Sequence, residues 1–186
     1  MLKKILIVTD DSGESLEIYY AKHRFAEAGY TPLIASTQKK RLNGVIHDFA
    51  PDWNTYVEKP GYLIQSDLAF AQVRVKDFAA VMLIGGRAPE FLRHNARLIQ
   101  IVREFHAQGK WIFSICHGIQ ILAAAGLVKD RKLTCYENVR FELESAGGAW
   151  VKSPSAVDGR IVSAQTWESH PEFYRDIFNG LAREDA

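Results

Sequence analysis

Two cysteines in 186 residues, Cys116 and Cys135, are too few for a disulfide framework, and their spacing matches no metal-ligand pattern. Charge of either sign is equally short of excess: 23 Lys and Arg stand against 22 Asp and Glu, a formal net charge of +1. That balance leaves no electrostatic footprint for nucleic acid, and the one tight basic triplet, Lys39-Lys40-Arg41, reads as a solvated loop. No apolar run approaches membrane-spanning length. The apolar part of the segment 1–8 is too short for a signal peptide and reads as a first strand. Phosphate-binding signatures of the GxGxxG or GxxxxGK[ST] kind are missing, as are repeats, low-complexity stretches and any internal boundary. These absences point to a reducing, cytoplasmic setting without metal, cofactor, nucleic-acid or membrane partner. A hydrophobic content of 47% gives one domain over residues 1–186 an ample core.

What is present is an alternation of strand and helix patterns. Lys4 to Thr9 is apolar on both faces, as a central parallel strand requires. A polar turn, a helix from Leu16 to Ala28 stopped by Gly29, and a strand over 31–36 follow, giving a right-handed βαβ start. The stretch 38–62 carries turn signals at Asn43-Gly44, Pro51-Asp52 and Pro60-Gly61, with Phe49, Trp53, Tyr56 and Tyr62 among them. It reads as a packed lid or small hairpin, followed by a short strand over 63–67. Strands then fall at 78–84, 111–115, 132–135, 150–152 and 160–164, and helices at 95–108, 138–146 and 171–181. The alternation makes the chain α/β throughout.

The chemistry concentrates at 109–126. Trp111, Ile112, Phe113 and Ile115 form a buried strand, and a small-residue helix from Ile119 to Ala125 ends at Gly126. Cys116 stands at the junction, the geometry of a nucleophile elbow that lifts a side chain above the carboxyl edge of a sheet. Free N–H groups and the positive helix end there predict a depressed thiol pKa. In open α/β sheets sites lie outside the carboxyl ends of the strands, where Asp10–Glu17 and Gly85–Glu90 also fall. Gly85-Gly86 permits close backbone approach, and the N–H groups of Gly86 and His117 are placed to form an oxyanion hole. Glu17 is spaced to point at Cys116 and also fits an exposed helix-start acid. A carboxyl that did face the sulfur would carry a raised pKa and donate to it. His117 has three readings, as base, orienting group or surface, with Glu90 a candidate partner. His170-Pro171-Glu172 is either a second His/Glu pair or a helix start with proline at its first turn.

The segments Ile84-Gly85-Gly86-Arg87-Ala88-Pro89-Glu90 and Ser114-Ile115-Cys116-His117-Gly118 resemble the two signature segments of the ThiJ/PfpI superfamily. The likeness spans nearly the whole chain. It includes Ile46-His47-Asp48-Phe49, Thr55-Tyr56 through Gly61, Gly147-Gly148-Ala149-Trp150 and His170-Pro171-Glu172-Phe173, and is nearest the glyoxalase III-type branch. The resemblance implies a flavodoxin-like three-layer sandwich with a mainly parallel central sheet. It implies Cys116 as nucleophile, Glu17 as the acid contacting it, and His117 as a triad histidine whose carboxylate, at Glu90, comes from an adjacent subunit of a homo-oligomer. Arg87 and His170 are candidate substrate-pocket residues. Ile84 and Ala21 depart from the superfamily's prolines, and the 10–13 turn is more polar than its counterpart. The implied activity is cofactor-free conversion of methylglyoxal or glyoxal to a 2-hydroxy acid. The alternatives are a cysteine peptidase or amidase, and a redox sensor that uses Cys116 oxidation.

Overall fold

The computed structural model describes residues 3–183. In chain order it contains β1 (Lys4–Val8), α1 (Ser15–Glu27), β2 (Thr31–Ser36), β3 (Arg41–Asp48), β4 (Val57–Gln65), β5 (Leu68–Ala69), β6 (Ala80–Leu83), α2 (Ala88–Leu92) and α3 (Ala96–Ala107). Then come β7 (Trp111–Ile115), α4 (Ile119–Ala124), β8 (Lys132–Leu133), α5 (Arg140–Ser145), β9 (Ala149–Trp150), β10 (Ser155–Asp158), β11 (Ile161–Ala164) and α6 (His170–Ala182).

Seven strands form the main sheet in the order β10-β11-β7-β6-β1-β2-β5. Every pairing in it is parallel except β10 with β11. Strands β1, β6 and β7 run through the middle, and all five residues of β7 are buried, which accounts for their unbroken apolar reading. The chain steps from β1 to β2 in one direction and from β6 to β7 in the other. Right-handed crossovers therefore place α1 and α3 on opposite faces of the sheet. Helix α6 joins α1 on its face: Phe25 of α1 meets Phe113 of β7 at 6.2 Å and Tyr174 and Phe178 of α6 at 5.8 and 6.0 Å. The result is the expected α/β sandwich with a mainly parallel sheet. No described helix is long and apolar enough to cross a membrane.

Three local departures have simple causes. Residues 63–65 finish β4 of the hairpin instead of opening a strand of their own. The two-residue β5 and the edge strand β10 are too short or too polar to show a strand period. Helix α2 begins inside the Gly85–Glu90 segment, for which no helix is expected from the sequence, with proline in its first turn.

The hairpin is not loose. Val45 N donates to Gly13 O at 2.9 Å, Tyr62 N to Ser15 Oγ at 3.1 Å, and Trp167 Nε1 to His47 O at 3.0 Å. It forms a fixed roof beside the carboxyl edge of the sheet. Beneath that edge the elbow is equally tight: a Cβ on Gly118 would stand 2.5 Å from the Leu83 carbonyl oxygen at the end of β6. Gly118→Ala should therefore lower stability by about 1–3 kcal/mol, read as a drop in thermal midpoint. An unchanged midpoint would show that the strand end yields to the methyl.

Candidate active site

Cys116 adopts a left-handed backbone, φ +58°. This turns the chain out of β7 into a single 3₁₀ turn, Cys116–Gly118, before α4 starts. The same twist brings neighbouring side chains together, and His117 Nδ1 lies 3.3 Å from Cys116 Sγ. Adjacency in sequence leaves that contact open; the positive φ produces it.

The sulfur faces three backbone and side-chain groups from separate elements. The N–H groups of His117 and Gly86 lie on the side of the sulfur where they favour its charged form, and the Glu17 carboxyl lies against it. Glu17 is fully buried, and its Oε2 accepts Gly85 N–H at 2.7 Å. Its Oε1 has no hydrogen bond of good geometry, which leaves the thiol as its polar neighbour. Gly85 makes the approach possible. A Cβ there would lie 2.5 Å from Cys116 Cβ, 2.9 Å from Glu17 Oε2 and 3.1 Å from the sulfur. Gly86, at φ +76°, carries its N–H toward the sulfur while a Cβ on it would meet Ser12 O at 2.4 Å.

Protonation follows from counting donors. Glu14 caps α1: its Oε2 accepts Leu16 N–H at 2.5 Å and Glu17 N–H at 3.0 Å, and its Oε1 accepts His47 N–H at 3.4 Å. Glu17 has one N–H donor. Burial pushes its pKa well up, and the Glu14 charge one turn away adds to the push. Burial also raises the Cys116 thiol, followed by the Glu17 charge, against the N–H groups of His117 and Gly86. The depressed thiol pKa expected from a helix end is therefore not what the elbow alone provides. Helix α4 is six residues long, and a short dipole does not outweigh full desolvation. Both groups are thus held toward their neutral forms, and a single charge on the pair sits better on the sulfur, with two N–H groups beside it, than on Glu17, with one. In that state the carboxylic acid no longer repels the thiolate and can donate to it.

His117 is buried, and burial, with His47 as the second cause, lowers its pKa to about 4. It is a neutral imidazole at neutral pH. Aromatic rings surround it: Tyr136 at 5.5 Å, Tyr56 edge-on at 5.8 Å and His47 at 6.5 Å. Thr55 Oγ1 and Asn138 Nδ2 fix the Tyr136 hydroxyl at 3.2 and 2.9 Å. His47, Tyr56, Glu58 and Tyr136 carry no sequence signal linking them to Cys116. The hints were the aromatic density of 49–62 and the family resemblance over 46–49 and 55–61, neither of which ties these residues to the sulfur.

The remaining predicted residues lie further out. Glu90 is exposed in the first turn of α2, and within the chain no hydrogen bond joins it to His117 among the described residues. Arg87 is exposed and engaged by the hairpin, its Nε and Nη2 donating to Glu58 Oε2 and Oε1 at 2.5 and 2.8 Å. His170 is buried at the start of α6, stacked on Tyr20 at 4.3 Å and packed on Tyr174 at 5.6 Å. Its Nε2 has no partner, and burial lowers its pKa to about 4.

Two outcomes follow from these protonation states. Glu17→Ala removes the donor from the sulfur, so alkylation of Cys116 by iodoacetamide at pH 7 should slow several-fold, with Glu17→Gln in between. Faster alkylation in Glu17→Ala would mean that Glu17 is ionised and opposes the thiolate. His170→Phe keeps the stack on Tyr20 and removes a group that protonates more readily when unfolded, at its ordinary 6.5, than when folded, at about 4. Unfolding of the wild type is therefore favoured as pH falls through that window. The variant should gain more thermal stability over wild type at pH 5 than at pH 8, and equal gains would remove the linkage.

The model of the DJ-1/PfpI family matches residues 3–179. A deglycase of Thermococcus kodakarensis is 38% identical over 162 residues, covering 87% of this chain and 89% of that protein. A putative cysteine protease of Bacillus subtilis is 29% identical over 182 residues, covering 97% of this chain and 99% of that one. Among solved structures, a ThiJ/PfpI domain protein from Brachyspira murdochii superposes with a TM-score of 0.86 at 23% identity, covering 97% of each chain. With the elbow and its two-glycine loop in one fold, and the family model spanning nearly its full length, this chain belongs to the DJ-1/PfpI family.

Proposed function

We propose that the protein is a cofactor-independent, cysteine-dependent enzyme of the glyoxalase III type, converting methylglyoxal or glyoxal to a 2-hydroxy acid. The names of its relatives support the broader class, a cysteine-dependent deglycase- or protease-like role. The narrower reading rests on one observation: Cys116, 6% exposed, has its sulfur between the buried Glu17 carboxyl and the His117 imidazole, whose ring is enclosed by Tyr56 and Tyr136. Such a site suits a small aldehyde better than an extended peptide, which needs an open groove.

In this reading the Cys116 thiolate adds to the aldehyde carbon of methylglyoxal, and the carbonyl oxygen takes a proton to give a hemithioacetal. Neutral His117 removes the hydrogen from that carbon as a proton, forming an enediol, and the proton is returned at the neighbouring carbon. The product is a thioester of lactate on Cys116. Water cleaves it, releasing lactate and the thiol, so the sum is methylglyoxal plus water to lactate with no oxidant. The Gly86 and His117 N–H groups stabilise each oxyanion. A positioned imidazole contributes typically 10²–10⁴-fold to such proton transfers.

The same carbon chemistry applies to a methylglyoxal unit carried on a thiol or amine, so the deglycase names of the relatives are compatible with this site. A homo-oligomer with Glu90 near its interface belongs to the proposal, supported by the exposure of Glu90 and of Phe91 beside it, at 46%. The redox reading needs the same thiolate and is favoured by no separate observation.

Lactate formation from methylglyoxal without glutathione is the assay. Wild type should turn over, Cys116→Ala should fall to background, and His117→Ala should lose at least about 100-fold in kcat. Equal lactate from wild type and Cys116→Ala would sink the proposal.

A further inference from the structure

We propose that Arg87, Glu58 and His47 form a positioning relay that, through Tyr56, holds the His117 imidazole against the Cys116 sulfur. The inference deepens the reading above, since it rests on His117 moving the proton. A base that serves a thiol is ordinarily oriented by a third group hydrogen-bonded to it. Among the described residues, the His117 ring makes one hydrogen bond, the 3.3 Å contact with Sγ. Its orientation therefore falls to the rings packed around it, and what fixes those rings fixes the base.

The relay is continuous from the elbow's own partner loop. Arg87 follows Gly85-Gly86 directly and forks onto both oxygens of Glu58. Glu58 stands opposite His47 in the β3–β4 ladder, and His47 Nε2 lies 3.0 Å from Glu58 Oε2. Arg87, first among the causes, lowers the Glu58 pKa to about 2, so this carboxylate can only accept. The His47 proton therefore sits on Nε2, and Nδ1 is a buried lone pair with no partner. Here the ring is set by its Nε2 bond, and its face carries Tyr56 at 3.8 Å and 16°. Tyr56 then presents its edge to His117 at 5.8 Å and 78°.

The contacts close a circuit. From Gly86 one path goes by its N–H straight to the sulfur. The other runs through Arg87, Glu58, His47, Tyr56 and His117 back to the same sulfur. Both ends of the reacting pair are thereby referred to one loop, and a shift of the hairpin against that loop rotates the base away from the thiol.

The experiment uses Glu58→Gln and Arg87→Gln in the full chain, alone and combined with His117→Ala. In each single variant kcat for methylglyoxal should fall about tenfold while KM stays within about twofold, the low end of what loss of an orienting partner costs. In the His117→Ala background neither substitution should have a further effect, because the relay acts only through that ring. The ¹⁵N signals of the imidazoles give a readout independent of turnover. They should show His47 neutral and protonated at Nε2 in the wild type, and the His117 signals should move in Glu58→Gln. An unchanged kcat and unchanged His117 signals would overturn the relay, as would an equal loss in both backgrounds. A wild type that makes no lactate would remove the proposed function and leave the imidazole signals to decide the relay by themselves.

Discussion

The left-handed backbone of Cys116 is the constraint on which the site depends. A non-glycine residue at φ +58° costs about 1–2 kcal/mol relative to an ordinary conformation. It persists because both sides of the turn are over-determined. Five buried residues of β7 fix the incoming direction, and Gly118, seated against the Leu83 carbonyl, fixes the outgoing one. Relaxing Cys116 would pull the sulfur out of the space that Gly85 leaves open. It would also part the thiol from the Glu17 carboxyl and from His117 Nδ1. A thiol and an imidazole from adjacent residues meet a carboxyl from the start of the chain because one backbone angle is held where it would not otherwise sit.

That elbow was legible in the sequence because its determinants are local. A β-prone apolar run, a Cys-His-Gly and a small-residue helix adjoin one another and need no distant partner to be read. The role of Gly85-Gly86 was legible for the same reason, since two glycines after a buried strand allow a close approach whatever approaches. Glu17 differs: its spacing fits an exposed acid at a helix start equally well, and only the packing of α1 on β1 and β2 turns it inward toward the Gly85 N–H. The charge state of the thiol was a contest of magnitudes. The helix end and burial act in opposite directions, and the sequence contains neither the length of α4 nor the degree of desolvation.

The residues that surround His117 were illegible for a topological reason. His47 faces Glu58 only in the register that the β3–β4 hairpin adopts, and that register shifts between Asn43 and Val45. A one-residue slip would send His47 to the other face of the hairpin. The loop joining the strands carries the Pro51-Asp52 turn signal, but a turn inside so long a loop does not fix how the strands pair. His170 shows the converse. Its place before a helix-start proline was correctly read, yet whether it met solvent or the rings of α1 depended on how α6 docks.

The two N–H groups on the sulfur bear on how the site passes from rest to reaction. In the resting state the Gly86 and His117 N–H groups act on the Cys116 sulfur, favouring its charged form. When sulfur attacks a carbonyl, its charge leaves for an oxygen one bond from the carbon it has joined. Donors already aimed at the sulfur need only follow that charge across a short distance. They require no reorganisation of backbone, which is the feature that makes preorganised donors effective in a dry site. Glu17 moves in the opposite sense. Its proton stabilises the thiolate, and once the sulfur is bonded and neutral that proton has less to hold it there. In the proposed reaction the acid would therefore be released for transfer as an oxyanion appears, so the burial that raises the thiol would also time the proton.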